Sequence, residues 1–84
     1  MTRLWISGSP ITVQLDKLNE LQHFIWKGAN HPVDRIANQW RVDIEWWRIR
    51  IWRDYFKLAT TSGMLVVIYH DLVNDEWYLQ RLYD

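Results

Sequence analysis

Apolar and polar side chains alternate along most of this chain, and a period of two is typical of half-buried β-strands. The clearest case is Ile11, Val13 and Leu15, which alternate with Thr12 and Gln14. Leu15, Leu18 and Leu21 would also fit one face of a short helix, but we favour a turn over 17–20. The alternation predicts strands at 11–15, 21–27, 33–42, 48–60, 64–70 and 76–83.

Turn-forming residues separate these segments. Gly28-Ala29-Asn30 and Thr61-Ser62-Gly63 contain the residue types that tolerate positive φ, and residues 71–75 are rich in Asn and Asp. The segment 43–47 interrupts the alternation, so we expect a turn or bulge there. It would join a strand that ends near Val42 to one that begins near Arg48.

Short strands linked by hairpins indicate an all-β protein. We predict a small antiparallel meander of five to six strands, curled into a barrel or half-barrel because closure hides the strand edges. Residues 11–84 would form a single β domain. Residues 1–10 contain Gly8, Ser9 and Pro10 in a row and would form an N-terminal arm or a loosely held first strand.

The stretch from Trp40 to Phe56 combines aromatic and basic side chains more densely than any other. At period two, Ile49, Ile51 and Arg53 share one face of a strand, and Arg48, Arg50 and Trp52 share the other. Adjacent residues of a strand point to opposite faces, so one ring of the Trp46-Trp47 pair is expected to face outward. The candidate binding residues are Arg41, Trp46, Trp47, Arg48, Arg50, Trp52 and Arg53.

Three interpretations of this stretch are open. Guanidinium groups neutralise phosphates while rings stack on unpaired bases, which suits single-stranded DNA. Trp, Tyr and Arg are also the residues that dominate protein interfaces. The third interpretation is structural: the tryptophans would fill a small core and the arginines would cover it with their stems.

Charge bears on the choice between these interpretations. Ten basic and ten acidic side chains give a formal net charge of zero, which argues against general attraction to polyanions. Residues 35–57 nevertheless carry six basic against three acidic groups, and residues 58–84 are correspondingly acidic. Cross-strand pairing between the two segments would neutralise both.

The sequence contains no catalytic signature, and we expect a protein that is not an enzyme and needs no cofactor. His70-Asp71 resembles a base with its orienting acid, but neighbours on a strand point apart. The three histidines lack the short spacing of zinc motifs, so no metal site is predicted. The absence of cysteine, of a secretory signal and of a long apolar run leads us to expect a cytoplasmic protein without membrane contact.

Several strings in the chain resemble a known family. They are Phe24-x-Trp26-x-Gly28, Trp40-Arg41, Trp46-Trp47, Arg53-Asp54-Tyr55-Phe56, Ile68-Tyr69-His70-Asp71 and the segment 77–84. Together they resemble small, uncharacterised bacterial Trp-rich domains, which are also similar to domains at the C-terminus of some Y-family (DinB-like or ImuB-like) translesion DNA polymerases. The resemblance covers about residues 22–84 and brings no assigned activity; it implies a setting in DNA damage tolerance.

These observations predict a non-enzymatic accessory binding module. The expected partner is single-stranded or distorted DNA, held by the candidate arginines and tryptophans. The alternative is recruitment of a DNA-repair protein, or self-association, through the same Trp/Arg surface or an open strand edge.

Overall fold

The computed structural model describes the backbone of residues 3–83, and the side chains of that range except those of residues 3 and 5–7. Within it lie six strands and no helix. The strands are β1 (Arg3–Leu15), β2 (Leu21–Trp26), β3 (Ala29–Trp46), β4 (Ile49–Thr60), β5 (Leu65–Asp71) and β6 (Glu76–Tyr83). Each of them pairs antiparallel with its neighbours in sequence.

Pairing of β1 with β6 closes the sheet into a barrel. The all-β prediction is confirmed, and of its two forms the closed barrel is the one found. The predicted turns at 17–20, 61–63 and 71–75 lie close to the observed strand ends. Between β2 and β3 the loop is only Lys27-Gly28, and both residues have positive φ, as in a two-residue hairpin of type I′.

The described N-terminal residues belong to the barrel; residues 1 and 2 of the expected arm lie outside the described range. Residues 3–10, for which we expected an arm or a loose strand, form the first part of β1 and pair with β6. The register shifts between Leu4 and Ser9, so that residues 5–8 lie opposite Gln80 alone. Gly8, with φ 77°, ends this bulge.

The interior of the barrel is a compact apolar core. Its fully buried members come from four strands and are Phe24, Leu58, Val66, Ile68 and Leu79. Partly buried rings, including Trp26, Phe56 and Trp77, pack around them. Alternate residues of β4 and β5 point inward because strand side chains have a period of two, which is the pattern that the sequence displays.

A second apolar layer lies on the outer face of the sheet. Four rings form a row across β3, β4, β5 and β6: Trp40, Tyr55, Tyr69 and Tyr78. Successive ring centroids are 5.3, 5.3 and 5.1 Å apart. The guanidinium of Arg53 lies 4.5 Å from the centre of the Tyr69 ring, and Tyr69 is only 1% exposed. Both sides of β5 are therefore buried, which explains why it is the most apolar strand.

This burial has a consequence at alkaline pH. Burial raises the pKa of the Tyr69 hydroxyl above its ordinary value of about 10, and the nearby Arg53 cation opposes that rise. The folded protein therefore holds the proton more tightly than the unfolded chain does. The stability contributed by the neutral hydroxyl is present below about pH 10 and is lost as the pH rises through the folded pKa.

We therefore expect the absorbance of ionised tyrosine to develop late for two groups in an alkaline titration of the folded protein, because the hydrogen bond that Tyr78 donates to Glu76 raises the pKa of Tyr78 as well. Tyr69→Phe should remove one of these two late groups, and its unfolding free energy should fall less steeply above pH 10 than that of the wild type. An unchanged titration curve in Tyr69→Phe would show that Tyr69 is not one of the late groups.

Candidate interaction hairpin

The strands β3 and β4 extend past the barrel as a two-stranded ribbon. The pairing of β4 with β5 ends at Arg53 opposite Asp71, and the pairing of β3 with β2 ends at Pro32. Residues 43–52, here called the distal hairpin, pair only with each other in the described ladders. At its base the carbonyl of Trp52 accepts a hydrogen bond of 2.8 Å from the Leu72 amide.

The prediction of a turn or bulge at 43–47 is wrong, because β3 continues unbroken to Trp46. Trp46 lies opposite Ile49, and the loop consists of Trp47 and Arg48. Trp47 has φ 57°, in the left-handed region that bulky residues rarely adopt. We misread the segment because Asp43 and Glu45 are poor strand formers, whereas the long β3–β4 ladder holds them extended.

Both tryptophans at the tip are exposed. Trp46 has 67% and Trp47 83% of its surface accessible, where we expected only one of them to face outward. Their rings meet edge to face, with centroids 6.1 Å apart and planes at 85°. Both residues lie on the distal hairpin, past the point where β4 pairs with β5, so neither ring reaches the barrel core.

One face of the distal hairpin is apolar. Cross-strand partners share a face, which places Ile44 beside Ile51 and Trp46 beside Ile49. Ile44 is 51% and Ile49 62% exposed. We call Ile44, Trp46, Ile49 and Ile51, together with Trp47 at the tip, the apolar tip. Sequence reasoning missed Ile44 because it assigned this residue to a turn; its alternation with Val42 and Trp46 was the available signal.

The opposite face is polar and largely paired within itself. Arg50 and Trp52 share it, as the alternation predicted, and the Arg50 guanidinium lies 4.7 Å from the centre of the Trp52 ring. The same guanidinium lies 3.6 Å from a carboxylate oxygen of Asp43. Arg48 lies in the loop instead of continuing this face, and no ion pair to it is found among residues 3–83.

The other two candidate arginines stabilise the root of the hairpin. Arg41 donates two hydrogen bonds to the Asp54 carboxylate, at 2.6 and 3.0 Å. These bonds and the opposite charge of Asp54 raise the pKa of Arg41. Arg53 lies against Tyr69 and donates a hydrogen bond of 3.2 Å to the Tyr55 hydroxyl. The seven candidates thus divide into five on the distal hairpin and two engaged with its root.

The predicted charge pairing between the basic residues of 35–57 and the acidic residues of 58–84 is found in a different form. Arg53 lies opposite Asp71 in the β4–β5 ladder, but the ion pairs of Arg41 and Arg50 are made with acids of their own hairpin. Cross-strand neighbours in β3 and β4 lie closer than the acids of the last two strands, and proximity decides which charges pair.

A cleft of about 520 Å³ opens at one mouth of the barrel. Phe56, His70 and Trp77 line it, and the His70 ring stacks on Trp77 with centroids 4.2 Å apart. The partner of His70 is Asp75, at 2.7 Å, and the adjacent Asp71 instead accepts a hydrogen bond from the Val73 amide. Asp75 is 89% exposed, whereas the His70 side chain is only 19% exposed.

Within the described range, no three His, Asp or Glu side chains are grouped as metal ligands. The same residues include no helix that is long and apolar enough to cross a membrane. Comparison of the chain with protein-family models, curated proteins and solved structures found no significant match. The resemblance to the Trp-rich domains therefore stays a prediction.

Proposed function

We propose that this protein is a non-enzymatic recruitment module that docks its apolar tip into an apolar groove on a partner protein. The observation that carries the proposal is the pair Trp46 and Trp47, held in solvent at the end of a projecting ribbon. An exposed apolar patch on a soluble domain marks an interaction surface. A setting in DNA damage tolerance is part of the proposal and rests on the resemblance alone.

The local energetics support docking. A bulky residue at φ 57° is strained, and strain of this kind costs of order 1–3 kcal/mol and clusters at binding sites. Water also contacts most of both rings, although burying them would be favourable. Buried aromatic anchors at interfaces typically contribute about 2 kcal/mol or more each. A partner groove that buries both rings would thus make hot-spot contacts with a tip that is already in its binding conformation.

Charge favours a protein over a nucleic acid as the partner. Arg41 is bound to Asp54, Arg50 lies against Asp43 and Trp52, and Arg53 covers Tyr69. A phosphate would compete with each of these contacts. The hairpin also carries the acid Glu45, exposed and opposite Arg50 in the ladder.

Single-stranded DNA is the second candidate partner. It is favoured by Arg48, a guanidinium in the loop beside Trp47 that has no ion pair among the described residues. A base stacked on an exposed ring contributes about 1–3 kcal/mol, and one adjacent cation would add phosphate contact.

The first experiment compares capture of proteins from a cell extract by three immobilised forms of the chain. Trp46→Ala/Trp47→Ala removes both rings; Leu18→Ala removes a side chain that is 78% exposed in the β1–β2 turn. We expect a partner to be retained by wild type and Leu18→Ala and to be depleted at least about tenfold by the double variant. Equal capture by all three forms would contradict docking through the tip.

Trp47→Gly separates binding from stability in the same series. Glycine adopts positive φ without strain, so this variant should be about 1 kcal/mol more stable than the wild type in denaturant unfolding, and it should bind less. A destabilised Trp47→Gly would indicate that the ring contributes to folding.

The DNA candidate is tested by quenching of tryptophan fluorescence on titration with a short single-stranded oligonucleotide, at low and moderate salt. If DNA is the partner, quenching weakens as salt rises and fades in Arg48→Ala. Fluorescence that stays constant at low salt would remove this candidate and leave the protein partner.

A further inference from the structure

The outer edge of β3 carries a row of backbone groups that no neighbouring strand pairs in the described ladders. The β2–β3 ladder ends at Pro32, and the described ladders place no strand beside residues 38–46 on the side away from β4. The register with β4 is regular from Asn38 to Trp46, since both shifts lie before it. A long edge of this kind is a template for another strand. Natural edges are commonly blunted by proline, a bulge or charged side chains. This stretch has neither proline nor a bulge, and its charged residues, Arg41, Asp43 and Glu45, include both signs.

The loop determines which groups this edge presents. In a hairpin with a two-residue loop, the residues that flank the loop form a hydrogen-bonded pair, and such pairs alternate along the ladder. Trp46 opposite Ile49 is that pair, so the even-numbered residues of β3 direct their amides and carbonyls at β4. The odd-numbered residues direct theirs outward, and they are Gln39, Arg41, Asp43 and Glu45. The Gln39 amide donates a hydrogen bond of 2.9 Å to the side-chain oxygen of Asn38, which a paired strand would have to displace.

We propose that a second copy of this chain pairs with that edge, β3 antiparallel to β3, with Val42 on the two-fold axis. In this register Arg41 lies opposite Asp43 of the second copy, and Asp43 opposite its Arg41. On the other face, Trp40 lies opposite Ile44 of the second copy. The pair of chains would form one continuous sheet through two barrels.

Charge complementarity selects this register. An antiparallel pairing centred on Arg41 sets that residue against itself, and one centred on Asp43 does the same for Asp43. Centring on Val42 opposes unlike charges at both positions and opposes the neutral Gln39 to Glu45. Arg41 binds Asp54 through Nε and Nη2, and Asp43 faces Arg50 through one carboxylate oxygen, so the Arg41 Nη1 and the second Asp43 oxygen are left for these cross-strand contacts. This register also uses the full regular stretch, because Val42 is the midpoint of 38–46. Opposite charges that face each other across a strand pair are stabilising, and like charges are destabilising.

The exposure of Trp40 and Ile44 also supports a second copy of this chain as the strand that pairs with the edge. Trp40 is 38% and Ile44 51% exposed on the apolar side, so an opposed strand would cover them. Trp47 lies beyond the ladder and would remain free at each end. The inference therefore does not rest on docking of the tip. Ile44 of the tip would be covered in the dimer, but the Trp47 ring of each copy would remain for a partner, with the gain in avidity that two such rings bring.

A cysteine scan tests the register directly, because the chain contains no cysteine of its own. In Val42→Cys the two introduced thiols face each other across a non-hydrogen-bonded pair, within the Cα separation that a disulfide requires. We expect mild oxidation to convert most of Val42→Cys to a covalent dimer. The control Trp40→Cys faces Ile44 of the second copy and should cross-link at least about tenfold more slowly.

A charge exchange tests the contacts without covalent chemistry. Asp43→Arg and Arg41→Asp each create like-charge pairs at the axis, so each variant alone should sediment as a monomer where the wild type is a dimer. Mixed together they restore unlike pairs at both positions, and the mixture should recover the dimer. Lys17→Asp reverses the charge of an exposed residue in the β1–β2 turn, away from β3, and should leave dimerisation unchanged.

Two results would overturn the proposal. One is a wild type that sediments as a monomer at a few hundred micromolar. The other is cross-linking as fast in Trp40→Cys as in Val42→Cys, since the register would then be wrong. Far-ultraviolet circular dichroism of Arg41→Asp checks its fold, and if it fails to fold the cysteine pair still decides the outcome.

Discussion

Gly8→Ala is expected to lower the free energy of unfolding by about 3 kcal/mol, as measured by denaturant titration. Gly8 has φ 77°, which disfavours any residue with a Cβ. A Cβ built there would lie 2.6 Å from the Tyr69 hydroxyl oxygen and 2.7 Å from the Tyr78 Cβ. The Tyr78 Cβ is fixed to the backbone of β6 and the Tyr69 ring lies within the buried aromatic row, so neither yields without moving a strand.

Gly28→Ala is the matched control for this prediction. Gly28 has φ 78°, nearly the same backbone strain, but nothing lies within 4 Å of its Cβ position. Its replacement should cost only about 1 kcal/mol. The difference in unfolding free energy between the two variants gives the steric cost of placing a Cβ at Gly8, where the β1 bulge lies against Tyr69 and Tyr78. Equal losses would show that β1 does not approach the aromatic row as closely as described.

Phe24→Ala is expected to be the most destabilising single substitution, with a loss of about 3–5 kcal/mol. Phe24 is fully buried at the centre of the barrel interior and stacks on His31 with ring centroids 5.1 Å apart. Its removal leaves a cavity that the closed ladder resists filling by collapse. Because small domains are stable by only about 5–15 kcal/mol, the variant should unfold at a much lower denaturant concentration.

Ile25→Ala provides the comparison for Phe24→Ala. Ile25 is the next residue of β2 and points to the opposite face, where it is 40% exposed. We expect it to lose about 1 kcal/mol or less, since a partly exposed side chain leaves no closed cavity. Similar losses for Phe24→Ala and Ile25→Ala would contradict the assignment of the barrel interior.

The candidate site combines exposed apolar surface with a backbone arrangement that presents it. A ribbon that extends past its barrel has neither a core beneath it nor strands beside it, so its stability comes from one ladder and the contacts at its root. The Arg41–Asp54 pair and the Trp40–Tyr55 stack, with centroids 5.3 Å apart and planes at 4°, hold that root to the barrel. The arginines that suggested phosphate binding thus carry much of the hairpin's own structure.

Much of the strand pattern was determined by the sequence alone. Period-two alternation and turn residues at short spacing are local properties, and together they predicted an antiparallel meander curled into a barrel or half-barrel. The opposed faces of β4, with Ile49 and Ile51 on one and Arg50 and Trp52 on the other, also followed from alternation, because successive side chains of a strand point to opposite sides.

Only the tertiary structure decided how far β3 extends and what each ring contacts. Asp43 and Glu45 weaken the local strand signal, and twelve cross-strand partners from β4 override it. Burial of Tyr69 depends on β1 and Arg53, which are distant in sequence, and His70 takes its carboxylate from across a turn. Alternation identifies the two faces of a strand, but closure of the barrel decides which face is interior. Because the pairing of β4 with β5 ends at Arg53, both tip tryptophans are left in solvent.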